Sequence, residues 1–166
     1  AEVWVAGPSG GAPALVNRLS DGDGFGEEAL LAECRRTATV VMPTPGQLLV
    51  LGKADFDALL RPPMVAEVEA PAARERVARG SATLLDCRHP AEHEAGRIEG
   101  AHSLPLARLR HEGVFELDPD ATYIVYCDTG RRSRAATFLL HERGIRALSL
   151  AGGITHWPYE VVGTAV

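Results

Sequence analysis

Long apolar runs are missing from this chain. Across 166 residues no stretch approaches the roughly 20 apolar positions that a membrane-spanning helix needs. The N-terminus, "AEVWVAGPSGG", has no basic segment ahead of an apolar one, so no secretory leader is expected. Positive charge is in deficit, with a formal net charge of -5. That argues against a nucleic-acid partner or an anionic membrane, since both require a basic surface. Lysine is nearly absent: Lys53 is the only one, arginine carries the remaining positive charge, and no function follows from that bias. Cysteine is sparse and odd in number, at Cys34, Cys87 and Cys127, with no C-x-x-C spacing. That pattern argues against both a disulfide framework and a zinc ribbon, and free thiols in a reducing cytoplasm are expected.

Apolar residues nevertheless make up 46% of the chain, enough for a packed core. The length suits one ordinary domain or two small ones. Residues 1–60 are rich in glycine and short β-like runs. "VWVAG" (3–7) and "ALVNRL" (14–19) read as strands around the turn "PSGGAP". "DGDGFGEEALL" (21–31) reads as a turn opening into a short helix, and "TATVVM" (37–42) and "QLLVLG" (47–52) as strands around "PTPG". In "KADFDALL" (53–60), Phe56, Leu59 and Leu60 fall at helical spacing, and Pro62 and Pro63 forbid continuation.

From residue 65 the rhythm changes. "AEVEAPAARERVARG" (66–80) has a helical pattern closing on Gly80, a suitable C-terminal residue. "ATLLDC" (82–87), "TYIVYC" (122–127) and "ALSLAGG" (147–153) read as strands, the first of a fully buried type. "PAEHEAG" (90–96), "LARLRHE" (106–112) and "RSRAATFLLHERG" (132–144) read as helices between them. Alternating strands and helices imply a parallel sheet covered on both faces. A β-rich portion (1–63) followed by an α/β domain (64–166) is therefore expected.

The stretch "YIVYCDTGRRSR" (123–134) ends a strand on Cys127 and enters a glycine and two arginines. In open parallel sheets, chemistry collects at the carboxyl ends of strands. The following helix offers unpaired N–H groups and a positive dipole end, which together lower a thiol's pKa. Gly130 lets the backbone curl so that its amides point inward, and Arg131 and Arg132 add positive charge. Three chemistries compete. "DTG" is the aspartic-protease triplet, but such a site needs two facing aspartates and only one triplet is present. A cysteine phosphatase needs arginine after five intervening residues, and that position is Ser133, with Arg132 and Arg134 on either side. A tighter loop suits a smaller anion, such as a cysteine persulfide held by a ring of amides.

The segment from about Ala66 to Tyr159 resembles a rhodanese domain. It carries, in order, "LLDCRHPAEHEAGRIEGAHSLPL" (84–106), "YIVYCDTGRRSRAATFLLHERG" (123–144) and "LAGGITHWP" (150–158). These match the family's Asp-x-Arg strand end, its Gly-x-Ile-x-Gly-Ala turn, its active loop and its closing Gly-Gly…Trp. The resemblance implies a sulfurtransferase, with Cys127 as persulfide carrier and Asp128, Thr129, Gly130, Arg131 and Arg132 as its cradle. It also implies that Ser133 closes the cradle with a hydroxyl and that Arg132 orients an anionic donor such as thiosulfate. Asp86 and Arg88 would be structural, and Arg97 replaces the family's usual histidine. His89, His93 and His102 are expected to be solvated rather than to hold a metal, Cys87 to be core, and Trp157 to cap the sheet.

"DGDGFGEEALLAECRRTATV" (21–40) combines a glycine, a carboxylate, a helical N-terminus and an arginine, the chemistry of a phosphate site. It resembles the phosphate-binding cassette of cyclic nucleotide-binding domains, over about Val3 to Arg61. That likeness implies a cradle of Gly26, Glu27, Glu28, Ala29 and Leu30. In it Glu27 meets the ribose hydroxyl, Arg36 meets the cyclic phosphate, and Thr37 lies by the purine. Only the latter half of that family's β-roll is matched, so the fragment is expected to need another chain, such as a second copy in a homodimer.

The fold expected is thus an α/β parallel sheet with helices on both faces, preceded by a partial β-roll of jelly-roll type. The expected function is transfer of sulfane sulfur from a small donor to a thiol or cyanide acceptor, with no catalytic cofactor and with cAMP or cGMP as regulatory ligand. The alternative is a non-catalytic, cyclic-nucleotide-responsive signalling or interaction module.

Overall fold

"TLLD" and "TYIVY" form the centre of a five-stranded sheet in the computed structural model, which describes residues 1–6, 11–31, 35–36, 38–60, 65–111 and 117–163. The N-terminal elements are β1 (Glu2–Val5), β2 (Ala14–Arg18), α1 (Glu27–Leu31), β3 (Thr39–Val41) and α2 (Lys53–Asp55), which runs into a wider turn at Phe56–Leu60. There follow β4 (Glu67–Val68), α3 (Ala70–Ala78), β5 (Thr83–Asp86), α4 (Pro90–Ala95), β6 (Arg97–Ile98), β7 (His102–Ser103) and α5 (Leu106–His111). The chain closes with β8 (Thr122–Tyr126), α6 (Arg131–Glu142), β9 (Arg146–Leu150), a 3-10 turn at Ile154–His156 and β10 (Val161–Val162).

The large sheet has the order β4-β9-β8-β5-β7, every pair parallel. Alternate residues of its inner strands point to opposite faces. Leu85, Cys87, Tyr123, Val125 and Cys127 lie in one core with Leu109, Phe138 and Leu140. Leu84, Ile124 and Tyr126 lie in the other, against Ala70, Ala73 and the half-buried Trp157. Helices thus cover both faces, and the apolar runs are long because neither face meets water. Among the described residues no helix is long and apolar enough to cross a membrane.

The N-terminal strands form an antiparallel sheet, β2-β1-β3, in keeping with part of a β-roll. Leu31 of α1 and Phe56 leave that sheet and enter the core beneath α6. Leu31 has no exposed surface, a burial worth about 2 kcal/mol.

Three expectations are corrected. Residues 47–52 are not a strand: no described strand pairs with them, and Leu49 and Val50 are 103% and 89% exposed. Apolar content does not make a strand without a ladder partner. The helix expected over 66–80 begins only at Ala70, while Glu67–Val68 pairs with Ser149 and Leu150 at the sheet edge. Pro71 suits a first helical turn, and Glu69 before it is extended at φ -72 and ψ 151. Leu59 does not share the buried face of Phe56; it is 66% exposed. Pro62 and Pro63 lie outside the described residues.

Candidate active site

β8 delivers Cys127 to the carboxyl end of the sheet, and α6 starts four positions later at Arg131. Gly130 makes so short a crossing feasible. It stands at the N-cap with φ 88, a left-handed conformation that costs glycine little, and its carbonyl accepts from Arg134 N at 3.1 Å. The turn brings Ser133 over the sulfur, with 3.8 Å between Cys127 Sγ and Ser133 Oγ. The Ser133 hydroxyl lies 3.1 Å from the Gly130 carbonyl and 2.9 Å from Ser149 Oγ on β9. Both serines are fully buried, and the Ser149 hydroxyl is satisfied through Ser133.

Cys127 is itself 1% exposed. Burial disfavours a thiolate, yet its pKa is lowered to about 5. The largest cause is a hydrogen bond from the Cys87 thiol, followed by the N–H and hydroxyl of Ser133 and the N–H of Thr129. Cys87 is pushed the opposite way, first by burial and then by its bond to Cys127. Proton and negative charge are thus divided unequally between two neighbouring sulfurs.

The segment after β9 fixes the start of the loop. Ile154 N donates to the Cys127 carbonyl at 2.7 Å, and Thr155 N donates to the Asp128 carbonyl at 3.1 Å. The close approach needs glycine: a Cβ on Gly153 would stand 2.3 Å from Cys127 O and 2.4 Å from Asp128 O.

Arginines of the loop are engaged by carboxylates. Arg132 meets two of them. Its two terminal nitrogens each donate at 2.8 Å to the two oxygens of Glu92 on α4, and one also donates to Asp128 at 2.6 Å. The paired guanidinium holds Glu92 at a pKa of about 2. Arg134 donates to Glu67 at 3.0 Å, so the arginines on either side of Ser133 are both engaged by carboxylates. Arg131 is exposed.

Beneath the loop, the fully buried Asp86 accepts from Arg88 Nε at 2.9 Å and from Arg88 Nη2 at 2.7 Å. Burial alone would raise the Asp86 pKa; the Arg88 bonds overcome it, and the net direction is down. His93 is not a solvated histidine, because its Nδ1 lies 3.0 Å from Asp86 and its side chain is 15% exposed. His89 and His102 are exposed. Among the described residues no three His, Cys, Asp or Glu side chains are grouped to hold a metal ion.

In the N-terminal portion, Arg36 Nη1 donates to the Gly26 carbonyl at 2.9 Å, directly beside Glu27 at the head of α1. Glu28 and Ala29 follow on that helix, and Leu30 turns toward the core. Thr37 lies outside the described residues.

Four contributors escaped the sequence reading: Cys87 as a partner of Cys127, Ser149, the clamp by Glu92, and the contact of Gly153. One signal was available for the first, since "LLDC" and "IVYC" both carry cysteine at the end of a buried strand.

A model of the rhodanese-like domain matches residues 69–159, and one of the cyclic nucleotide-binding domain matches residues 1–62. A protein named sulfurtransferase from Allochromatium vinosum is 36% identical over 96 residues, covering 57% of this chain and 89% of that protein. The probable adenylyltransferase/sulfurtransferase MoeZ of Mycobacterium tuberculosis is 37% identical over 76 residues, or 45% of this chain. The match spans 19% of the length of MoeZ. Among solved structures, a rhodanese-related protein from Thermoplasma volcanium superposes with a TM-score of 0.54 at 32% identity, covering 58% of this chain and 97% of that one.

Proposed function

Because the chain belongs to the rhodanese-like family, we propose that it moves a sulfane sulfur from a donor such as thiosulfate to a thiol or cyanide acceptor through a persulfide on Cys127. The observation that carries this reading is the placement of Cys127 between the end of β8 and the start of α6, with the Ser133 hydroxyl 3.8 Å from its sulfur. A pKa lowered to about 5 by Cys87 and by the Ser133 and Thr129 groups supports a thiolate there.

The thiolate attacks the outer sulfur of the donor, and the donor's S–S bond breaks with sulfite as leaving group. The persulfide anion then rests against the loop amides and the Ser133 hydroxyl. An acceptor thiolate or cyanide attacks the outer sulfur and returns Cys127 to its thiolate. Arg132, held by Glu92 and Asp128, braces the wall of the loop. The donor's charge is met by amides instead.

The test is a single turnover with thiosulfate. Wild type is expected to release sulfite stoichiometrically, and Cys127→Ser to release none. Wild type that yields neither sulfite nor a sulfur adduct overturns the reading in favour of the non-catalytic module.

A second reading concerns regulation and is favoured by the match over residues 1–62 and by Arg36 standing beside Gly26 and Glu27. In it, a cyclic nucleotide places its phosphate on Arg36 and its ribose hydroxyl on Glu27. Titration with cAMP and cGMP is expected to give a saturable response in wild type that Arg36→Ala loses. Equal responses from both proteins retire it.

A further inference from the structure

Cys87 and Cys127 occupy equivalent positions at the ends of neighbouring parallel strands. The ladder of β5 and β8 runs in register from Thr83 opposite Tyr123 to Asp86 opposite Tyr126, and Cys87 N continues it by donating to the Tyr126 carbonyl at 3.0 Å. The next residue on each strand is a cysteine. Both thiols are free and belong to one core, so they project from the same face of the sheet. Adjacent strands lie about 4.8 Å apart, and a disulfide accepts Cα separations of roughly 4.4–6.8 Å. Little backbone movement separates this pair from a bond.

We propose that Cys87 is a resolving thiol that discharges the Cys127 persulfide, giving the protein a second activity: release of the carried sulfur as sulfide with closure of a Cys87–Cys127 disulfide. The inference rests on the reading of Cys127 as persulfide carrier.

The step balances without an outside oxidant. The Cys87 proton passes to the outer sulfur of the persulfide anion. The Cys87 thiolate then attacks Cys127 Sγ. A bond forms between the two cysteine sulfurs, the bond from Cys127 Sγ to the outer sulfur breaks, and hydrosulfide leaves. The sulfane sulfur takes up two electrons, and the two cysteines are oxidised to the disulfide. A dithiol reductant restores them.

Placement favours this path. The outer sulfur lies in the loop, against the Ser133 side, while Cys87 approaches from the neighbouring strand. At 2% exposure Cys87 is hidden from external acceptors, so the Cys127 sulfur beside it is its accessible electrophile. The in-register placement of the two strand ends sets the line along which the proton has to travel. A burdened protein with no acceptor thiol at hand is thereby emptied rather than held as a persulfide.

The experiment uses fully reduced protein and thiosulfate with no added thiol, reading sulfite, sulfide, intact mass and a non-reducing peptide map. Wild type is expected to release sulfite and sulfide in equal amounts, to end lighter by two hydrogens, and to show a peptide joining Cys87 to Cys127. Cys87→Ser, with Cys87→Ala as a second variant, is expected to release sulfite, keep one added sulfur and release no sulfide. Wild type that keeps the added sulfur as durably as these variants overturns the proposal and leaves the persulfide carrier standing, as does a cross-link to Cys34 in place of Cys87. Absence of both sulfite and adduct in wild type and in the variants overturns both.

Discussion

Gly153 passes the Cys127 carbonyl too closely for any side chain: a Cβ there would stand 2.3 Å from that oxygen, which accepts from Ile154 N. At φ 64 the residue is also in a conformation that costs any other residue roughly 1–3 kcal/mol. Gly153→Ala is therefore expected to push the loop off its amide geometry, lower sulfite release at least tenfold, and shift the urea midpoint downward. Gly130→Ala is the gentler comparison. Its nearest neighbour would be 3.5 Å away, so only backbone strain is added.

The activity should follow the Cys127 thiolate. With a folded pKa of about 5 the sulfur is charged throughout the neutral range. The rate of sulfite release is expected to be flat above pH 6 or so and to fall as pH drops through about 5. Removing the Cys87 donor with Cys87→Ala raises that pKa, so the acid limb should move to higher pH. A profile that does not move would show that the Cys87 thiol is not what keeps the charge on its neighbour.

Glu92, together with Asp128, restrains the Arg132 guanidinium beside the loop. Glu92→Gln keeps an acceptor for His89 N but removes the charge. It is expected to lower KM for thiosulfate about fivefold, the equivalent of about 1 kcal/mol for one partly exposed charge pair. kcat should stay near the wild-type value. The pair itself is acid-resistant. The depressed Glu92 pKa contributes stability that is complete above the unfolded value of 4.5 and is lost only as pH falls through about 2.

Arg88→Ala would leave the Asp86 carboxylate in the core without its guanidinium, still beside His93. Breaking a buried pair from one side costs about 3–5 kcal/mol, measurable by denaturant unfolding. The sign with pH follows from the direction of the Asp86 shift. In wild type its pKa is below the usual 3.8, so ionisation stabilises the fold above that value and the contribution disappears in stronger acid. In the variant, burial has less to oppose it, and stability should rise on mild acidification instead.

What could be read from the sequence tracks how local each cause is. β5, β8 and β9 were legible because strands buried on both faces carry uninterrupted apolar runs, and α6 because its start and end are marked by Gly130 and Gly144. Cys127 and its loop were legible for the same reason, since all the groups lie within seven consecutive residues. The two-residue strands β6, β7 and β10 left no trace, as their existence depends on a neighbour's edge. "QLLVLG" misled because its composition is β-like while no described strand lies beside it. The partner of Arg132 was hidden for a tertiary reason: Glu92 is forty positions away in sequence and arrives on a different helix.

The burial of Leu31 and Phe56 under α6 bears on how such a protein could arise. A gene cut between its two portions would leave an open hole over the helix that begins at the active loop. Recombination that exchanged either portion would therefore have to redraw the other's surface too.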